Sequence, residues 1–224
     1  MTTATAEQLG SLRQWDTPAL SNAIDSLRIR PHNTGYTDGS ISRIAGETFA
    51  GIAVTARMVA RDAGEDGVPV AELHAAVAAV GPSAVVVIED CDQPDGAGAF
   101  LGEVNGTLLS VLGVQAVVTN GRVRDVNELR QMGFAVHARG LCVARSYMRL
   151  VDVSTTVEVA GLSIRPGDII HGDEHGVLEV PAHVIDSVLE KANVIREDEQ
   201  DLVTWARSPE FTVEALLQLR RVRH

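Results

Sequence analysis

Lysine is almost missing from this chain: Lys191 is the single one among 224 residues. It falls in a predicted C-terminal helix, which leaves a lysine Schiff base unattractive as a means of activating a carbonyl. Aromatics are scarce at 4%, so the core has to be built from Val, Ala, Leu and Ile within a hydrophobic content of 45%. Only two cysteines occur, Cys91 and Cys142. Neither has metal-ligand or redox spacing, and both are expected as reduced thiols. Positive charge is short as well. The net charge of −11 argues against nucleic acid and anionic membranes, which require a basic face. It leaves small anionic ligands open, because one local arginine can dominate a pocket. No apolar run approaches the roughly 18 residues of a membrane span, and Met1–Gly10 lacks a basic-then-apolar leader pattern. The expectation is a cytoplasmic protein with no nucleic-acid or membrane partner. Gly-x-Ser-x-Gly elbows, Walker loops and His-Glu-x-x-His are all missing.

What is present is an alternation of elements. Residues 6–27 read as helix, with Asp16-Thr17-Pro18 as a good helix start. Residues 30–47, punctuated by Pro31, Gly35, Gly39 and Gly46, read as a long loop. A strand over 50–59, a helix over 70–80, and a continuous apolar strand over 84–88 follow. Next come a Gly-rich loop (90–102), a helix (103–112), a strand (115–119), an Asn120-Gly121 turn, a helix (126–132) and a strand (134–138). This density of strand and helix points to an α/β layer with parallel pairing. Residues 149–181 alternate as β, with a hairpin turn at 173–176. An amphipathic helix over 182–206 and a short basic helix over 213–222 close the chain. One domain, 1–224, is expected, with a core of about 12–205 and a helical extension over 206–224.

The central constellation is Glu103, twenty intervening residues, then Arg124-Asp125. If the intervening segment folds as helix then strand, all three charges meet at the carboxyl end of a sheet, where α/β proteins bind ligands. One carboxylate there can hold a divalent cation, and the guanidinium can hold an anionic oxygen. Each residue also has a plainer role: Asp125-Val-Asn-Glu128 fits a capping box, and Glu103 fits a first-turn glutamate favoured by the helix dipole. The loop Asp95-Gly-Ala-Gly-Ala-Phe-Leu-Gly102 is small enough to let helix-start N–H groups approach a carboxylate. It fails as a dinucleotide loop, because Leu101 stands where the third glycine belongs. His171-Gly-Asp173-Glu174-His175-Gly176 has metal-ligand residue types, but its flanks favour a hairpin turn. Glu197, Asp198 and Glu199 fit a wet helix face, and His137 fits a packed or interface histidine.

The acid, twenty residues and Arg-Asp together resemble the motif of the RraA-like family, which includes divalent-metal 4-hydroxy-4-methyl-2-oxoglutarate aldolases. Segments similar in order include Asp16-Thr-Pro-Ala-Leu-Ser-Asn-Ala23, Ala50-Gly-Ile-Ala-Val-Thr55, Gly133-Phe134 with Ala138-Arg-Gly140, Pro166-Gly-Asp168 and Asp173-Glu-His-Gly-Val177. The resemblance implies a β/β/α swivelling-domain-like fold, homotrimers or homohexamers, and sites between subunits. It implies that Asp125 binds Mg²⁺ or Mn²⁺, that Glu103 holds a metal-bound water, and that Arg124 binds the keto or enolate oxygen of a small 2-oxo acid. Amides near Gly102, Val104 and Asn105 would take the pyruvate carboxylate, and Glu199 of a neighbouring subunit would help hold metal waters. Expected activities are retro-aldol cleavage of a 4-hydroxy-2-oxo acid, with Glu103 polarising a water for the C4 hydroxyl, and decarboxylation of oxaloacetate. The alternatives are a non-catalytic protein-binding regulator like the ribonuclease inhibitors of the family, or a tautomerase or hydratase on the same scaffold. The chain departs from the family pattern at Asn22, Ala135 and His137. It also lacks the usual glycines and prolines across Cys142–Leu150, near the expected pocket wall.

Overall fold

The structure is a computed structural model that describes residues 4–64 and 66–222. Two helices open it, α1 (Ala6–Leu12) and α2 (Thr17–Leu27), where the sequence predicted one. The break is local chemistry: Asp16 is extended, and its carboxylate accepts the Ala19 N–H at 2.7 Å, restarting the helix with Pro18 in its first turn. Strand β1 (Ser42–Ala45) lies inside the expected 30–47 loop. Strand β2 (Phe49–Val59), helix α3 (Val70–Val80), strand β3 (Ala84–Asp90), helix α4 (Glu103–Val111) and strand β4 (Ala116–Thr119) fall within two residues of their predicted bounds.

Two-residue strands, β5 (Arg122–Val123) and β7 (Gly140–Leu141), bracket helix α5 (Val126–Gln131) and strand β6 (Ala135–Ala138). The β-rich stretch resolves into β8 (Arg149–Val153), β9 (Val157–Val159), β10 (Leu162–Ile164), β11 (Ile169–Asp173) and β12 (Gly176–Val180). A 3₁₀ turn at Ala182–Val184 leads into α6 (Ile185–Ala206), followed by α7 (Val213–Val222).

The main sheet runs β1-β6-β4-β3-β2-β11-β12, with β8 paired to the second half of β2. Its centre, β2, β3, β4 and β6, is parallel as expected; β1, β8, β11 and β12 are antiparallel additions. Alternation along β3 sorts the core into two faces. Val86 and Ile88 join Val117 and Val136 under Leu73, Val77, Leu109 and Leu129 of helices α3, α4 and α5. Val85 and Val87 join Val118 on the opposite face, covered by Val157, Val159, Leu162 and Ile164 of the β9–β10 hairpin. A third cluster packs Leu9, Leu12, Leu20, Ile24, Val188 and Ala192 of α1, α2 and α6 on Ile169, Leu178 and Val180. The result is the layered α/β architecture, sheet between helices and a β hairpin, that the sequence led us to expect. Each fully buried aliphatic side chain here contributes about 1.5–3 kcal/mol, so the frame holding the strand ends is stiff.

Candidate active site

The parallel strands β3 and β4 end side by side, and their carboxyl ends carry the loops that matter. After β3, the loop to α4 is pinned by buried acids. Asp90 Oδ2 accepts the Gly96 N–H at 2.6 Å, and Asp90 Oδ1 accepts the Asp92 N–H at 3.1 Å. Asp92 Oδ2 accepts the Ala60 N–H at 2.8 Å. Burial pushes the Asp90 carboxyl above its usual range, against the pull of those two N–H donors. After β4, Asn120 ties the two strand ends together: its Oδ1 accepts the Asp90 N–H at 2.7 Å, and its Nδ2 donates to the Asp90 carbonyl at 3.0 Å. Sequence reasoning saw Asn120-Gly121 only as a turn. The acids Asp90 and Asp92 carried no signal that set them apart from a polar loop.

This framework brings the predicted constellation together. The Arg124 N–H donates to the Leu101 carbonyl at 3.1 Å, laying Arg124-Asp125 beside Gly102-Glu103. Asp125 Oδ2 accepts the Glu103 N–H at 2.9 Å and lies 3.6 Å from Arg124 Nε. The expected capping box at Asp125–Glu128 does not form. Asp125 stands at the N-cap of α5 with φ 54° and makes no side-chain cap to that helix. Left-handed backbone, tolerable for an aspartate, swings the carboxylate away from α5 and onto the start of α4. Gly102 is what makes room: a Cβ there would meet Asp125 Oδ2 at 2.5 Å and Arg124 Cγ at 3.0 Å.

Gly102 caps α4 without a side-chain bond. With the Glu103 N–H taken by Asp125, the Val104 and Asn105 N–H groups remain at a positive helix end, suited to an anion. The Asn105 side chain is itself committed, its Nδ2 donating to the Phe100 carbonyl at 2.7 Å. A cleft of about 430 Å³ opens over this helix start, lined by Gly102, Val104, Asn105 and Arg124 together with Phe100, Leu108, Met148, His74 and Arg145. The last two were missed. His74 Nε2 is closed off from solvent with no hydrogen-bond partner among the described residues, and Arg145 comes from the segment that departs from the family pattern. Glu103 is exposed on the first turn of α4, between Gly102 and Val104, and does not itself line the cleft. The loop's small residues turn out to serve backbone packing too: a Cβ on Gly98 would strike the Arg145 carbonyl.

Other candidates separate from this site. Glu199 lines a different hollow, with Trp15, Asp16 and Arg196, so one chain does not bring it to Arg124. Asp173, Glu174 and His175 do place ligand atoms within 4.8 Å of one another, but at a hairpin turn, as expected. Asp173 Oδ2 accepts the Thr17 N–H and Oδ1 the His175 N–H, both at 2.8 Å. Burial opposes ionisation of Asp173, yet these donors outweigh it and hold the carboxyl below its usual range. That carboxylate fixes the start of α2 to the turn. His137 does not line the cleft; it is buried, edge-on to Phe49, with Nε2 2.7 Å from the Asp173 carbonyl, and Nδ1 has no partner among the described residues. Burial raises the Cys91 thiol to about 11, which keeps it in the less nucleophilic thiol form.

Known proteins place the chain by sequence and by fold. A putative 4-hydroxy-4-methyl-2-oxoglutarate aldolase of Halalkalibacterium halodurans is 29% identical over 53% of this chain and 56% of its own. One of the same description from Photobacterium profundum is 37% identical over 36% of this chain and 50% of its own. The matched stretch thus spans about half the length of these curated relatives. In fold, a crystal structure of Streptomyces coelicolor RraAS2, described as an unusual member of the RNase ES inhibitor RraA protein family, aligns with TM-score 0.74 at 19% identity. It covers 89% of this chain and 97% of that one. A family model, RraA-like, described as Aldolase/RraA, matches residues 17–178, and the chain belongs to that family.

Proposed function

We propose that this protein is a divalent-metal-dependent carbon–carbon lyase. It would cleave a 4-hydroxy-2-oxo acid to pyruvate by retro-aldol chemistry and decarboxylate oxaloacetate through the same enolate. The observation that carries the reading is the meeting of the α4 start and Arg124 at one cleft, with the Asp125 carboxylate bonded to the Glu103 N–H beside them. The putative-aldolase names of the relatives support it.

The donor set fits Mg²⁺ or Mn²⁺. Such ions use one or two protein carboxylates and keep several waters. Asp125 offers Oδ1, which has no hydrogen-bond partner among the described residues, on a side chain 34% exposed. When bound there, the cation supplies Lewis-acid polarisation of a 2-keto oxygen. The chain's own groups do the rest. The Val104 and Asn105 amides hold the 2-oxo acid's carboxylate at the helix end. Arg124 places a fixed positive charge where negative charge develops on the C2 oxygen. Glu103, exposed on the same turn, is assigned the C4 hydroxyl proton through an intervening water. Asp125, bonded to the Glu103 N–H, keeps all these parts in one register. Glu199 of a neighbouring copy is proposed to complete the site, in a homotrimer or homohexamer.

The test is pyruvate release from oxaloacetate and from 4-hydroxy-4-methyl-2-oxoglutarate, with Mg²⁺ and with chelator. Turnover abolished by chelator is expected; turnover indifferent to it overturns the metal reading. One observation favours a second reading, a protein-binding regulator: Val104, Val111, Val143 and Tyr147, on α4 and the 141–147 segment, are exposed apolar side chains. Failure to turn over any 2-oxo acid would select it.

A further inference from the structure

Strands β3 and β4 pair as far as Ile88 and Thr119, and β4 then turns away at Asn120-Gly121. The ladder nevertheless continues by one rung, through a side chain. Asp90 presents an N–H and a carbonyl where backbone partners have run out, and Asn120 takes both. A carboxamide carries the acceptor and the donor that this requires. The rung is also close-packed: a Cβ on Gly121 would meet Asp90 Cβ and Oδ2 at 3.1 Å.

The rung joins the two loops that carry the candidate site. On the β3 side, the Asp90 carboxylate holds the Asp92 and Gly96 N–H groups, and the loop runs on to Gly102 and α4. On the β4 side, Arg124-Asp125 follow Asn120 by four and five residues. Farther along both loops, Ala99 bridges Arg122 in parallel and the Arg124 N–H reaches the Leu101 carbonyl. Asn120 is thus the first of a series of links that ends at the Asp125 carboxylate on the Glu103 N–H.

We infer that Asn120 is a positioning residue, resting on the lyase reading above for the reaction it serves. It does not line the cleft; its carboxamide fixes the distance between the start of α4 and the Arg124-Asp125 pair. Because the role needs a donor as well as an acceptor, aspartate is the telling substitute. As a carboxylate it can only accept, and it would confront the Asp90 carbonyl. Protonated, it recovers the donor in nearly the same shape. The charged groups around Asp90 are Asp92 and Asp95, the latter paired with Arg139. The Cys91 and Cys142 thiols nearby are raised by burial and stay neutral. Partial burial and these acids together push an introduced carboxyl upward.

The experiment compares full-length wild type, Asn120→Ala and Asn120→Asp in Mg²⁺ between about pH 8 and about pH 5, each confirmed as folded by circular dichroism. Asn120→Ala should lose about 100-fold in kcat, as a misplacement of about 1 Å does, with KM changed far less. Asn120→Asp should match that loss at the alkaline end. Relative to wild type it should then recover about 10-fold towards the acid end, as its carboxyl regains the proton. A residue that merely stabilised the fold would show no such recovery. Separately, deuterium exchange at the Glu103 amide is read by mass spectrometry without substrate. It should quicken about 10-fold in Asn120→Ala, while the β11–β12 hairpin keeps its wild-type rate. Undiminished kcat in Asn120→Ala, a pH-independent Asn120→Asp to wild-type ratio, or unaltered Glu103 exchange would each overturn the inference. If wild type turns over neither oxaloacetate nor 4-hydroxy-4-methyl-2-oxoglutarate, the lyase reading fails, and Glu103 exchange still decides whether Asn120 sets the spacing.

Discussion

At the scale of single residues, Asp125 makes a structural bond with the same carboxylate that the lyase reading assigns to the cation. Its Oδ2 caps the Glu103 N–H at 2.9 Å, while its backbone sits at φ 54°. Asparagine tolerates both that conformation and the cap. Asp125→Asn should therefore unfold within about 1 kcal/mol of wild type in urea, yet lose turnover. Asp125→Ala should lose turnover and a further 1–2 kcal/mol from the missing cap and the strained φ. Equal stability of the two variants would refute the capping role. Arg124→Gln should lower kcat about 100- to 1000-fold, the usual cost of removing a preorganised donor, with an unchanged melting temperature. Gly102 has extended backbone, φ −153°, so alanine is free of backbone strain there. Its Cβ would nevertheless press on the Asp125 carboxylate. Gly102→Ala should thus cost about 100-fold in rate, as a misplacement of about 1 Å does, with little change in stability. A fully active Gly102→Ala would show that the carboxylate's position is not critical.

Elements explain why some of this was legible and some was not. Helices α3 and α4 and strands β3 and β4 carry strong local patterns, and their bounds came out nearly as read. Glu103 and Arg124-Asp125 stood out in the sequence, and come together in the fold, because they sit where such elements begin and end. Strand β1 was missed because Ser42-Arg-Ile-Ala45 is short and half polar, and because its ladder partner is the distant β6. The capping box misled for a related reason: sequence spacing encodes an option, and the left-handed turn at Asp125 declined it. Asp90 and Asp92 owe their long-range bonds, and His74 and Arg145 their places along the cleft, to neighbours far along the chain, so no local pattern marked them. The loop–loop packing at Gly98 gives an element-scale expectation. Gly98→Ala should destabilise the protein by about 1–3 kcal/mol in urea unfolding, since the obstructing atom is backbone and cannot swing aside. A neutral effect would mean the 144–147 segment yields freely.

The whole molecule adds a pH dependence that has no part in the chemistry. His171 is buried between Thr17 Oγ1 at 3.2 Å and the Trp15 carbonyl at 3.1 Å, and burial depresses it to about 4. Burial lowers His137 as well. Both histidines are then neutral in the fold but protonated in the unfolded chain below its ordinary value of about 6.5. The unfolded state binds more protons, so stability must fall as pH drops from about 6.5 towards 4, and level off once the fold itself takes the proton. The His171 share is about 3 kcal/mol at the acid end. Asp173, held below its usual range, adds a separate loss at more acidic pH, below its unfolded value near 3.8. Urea midpoints between pH 7 and 4.5 check this, and His171→Asn should flatten the slope. His171 ties the α1–α2 junction to the β11–β12 hairpin, His137 ties β6 to the same hairpin, and neither lines the cleft, so the acid sensitivity of folding and that of turnover should separate.

One comparison tests the central claim most directly: pyruvate formation from 4-hydroxy-4-methyl-2-oxoglutarate in Mg²⁺ by wild type and by folded Asp125→Asn. The account predicts steady release by wild type, stopped by chelator, and loss of at least about 100-fold in the variant. Undiminished release by Asp125→Asn, or release that persists in chelator, would contradict it.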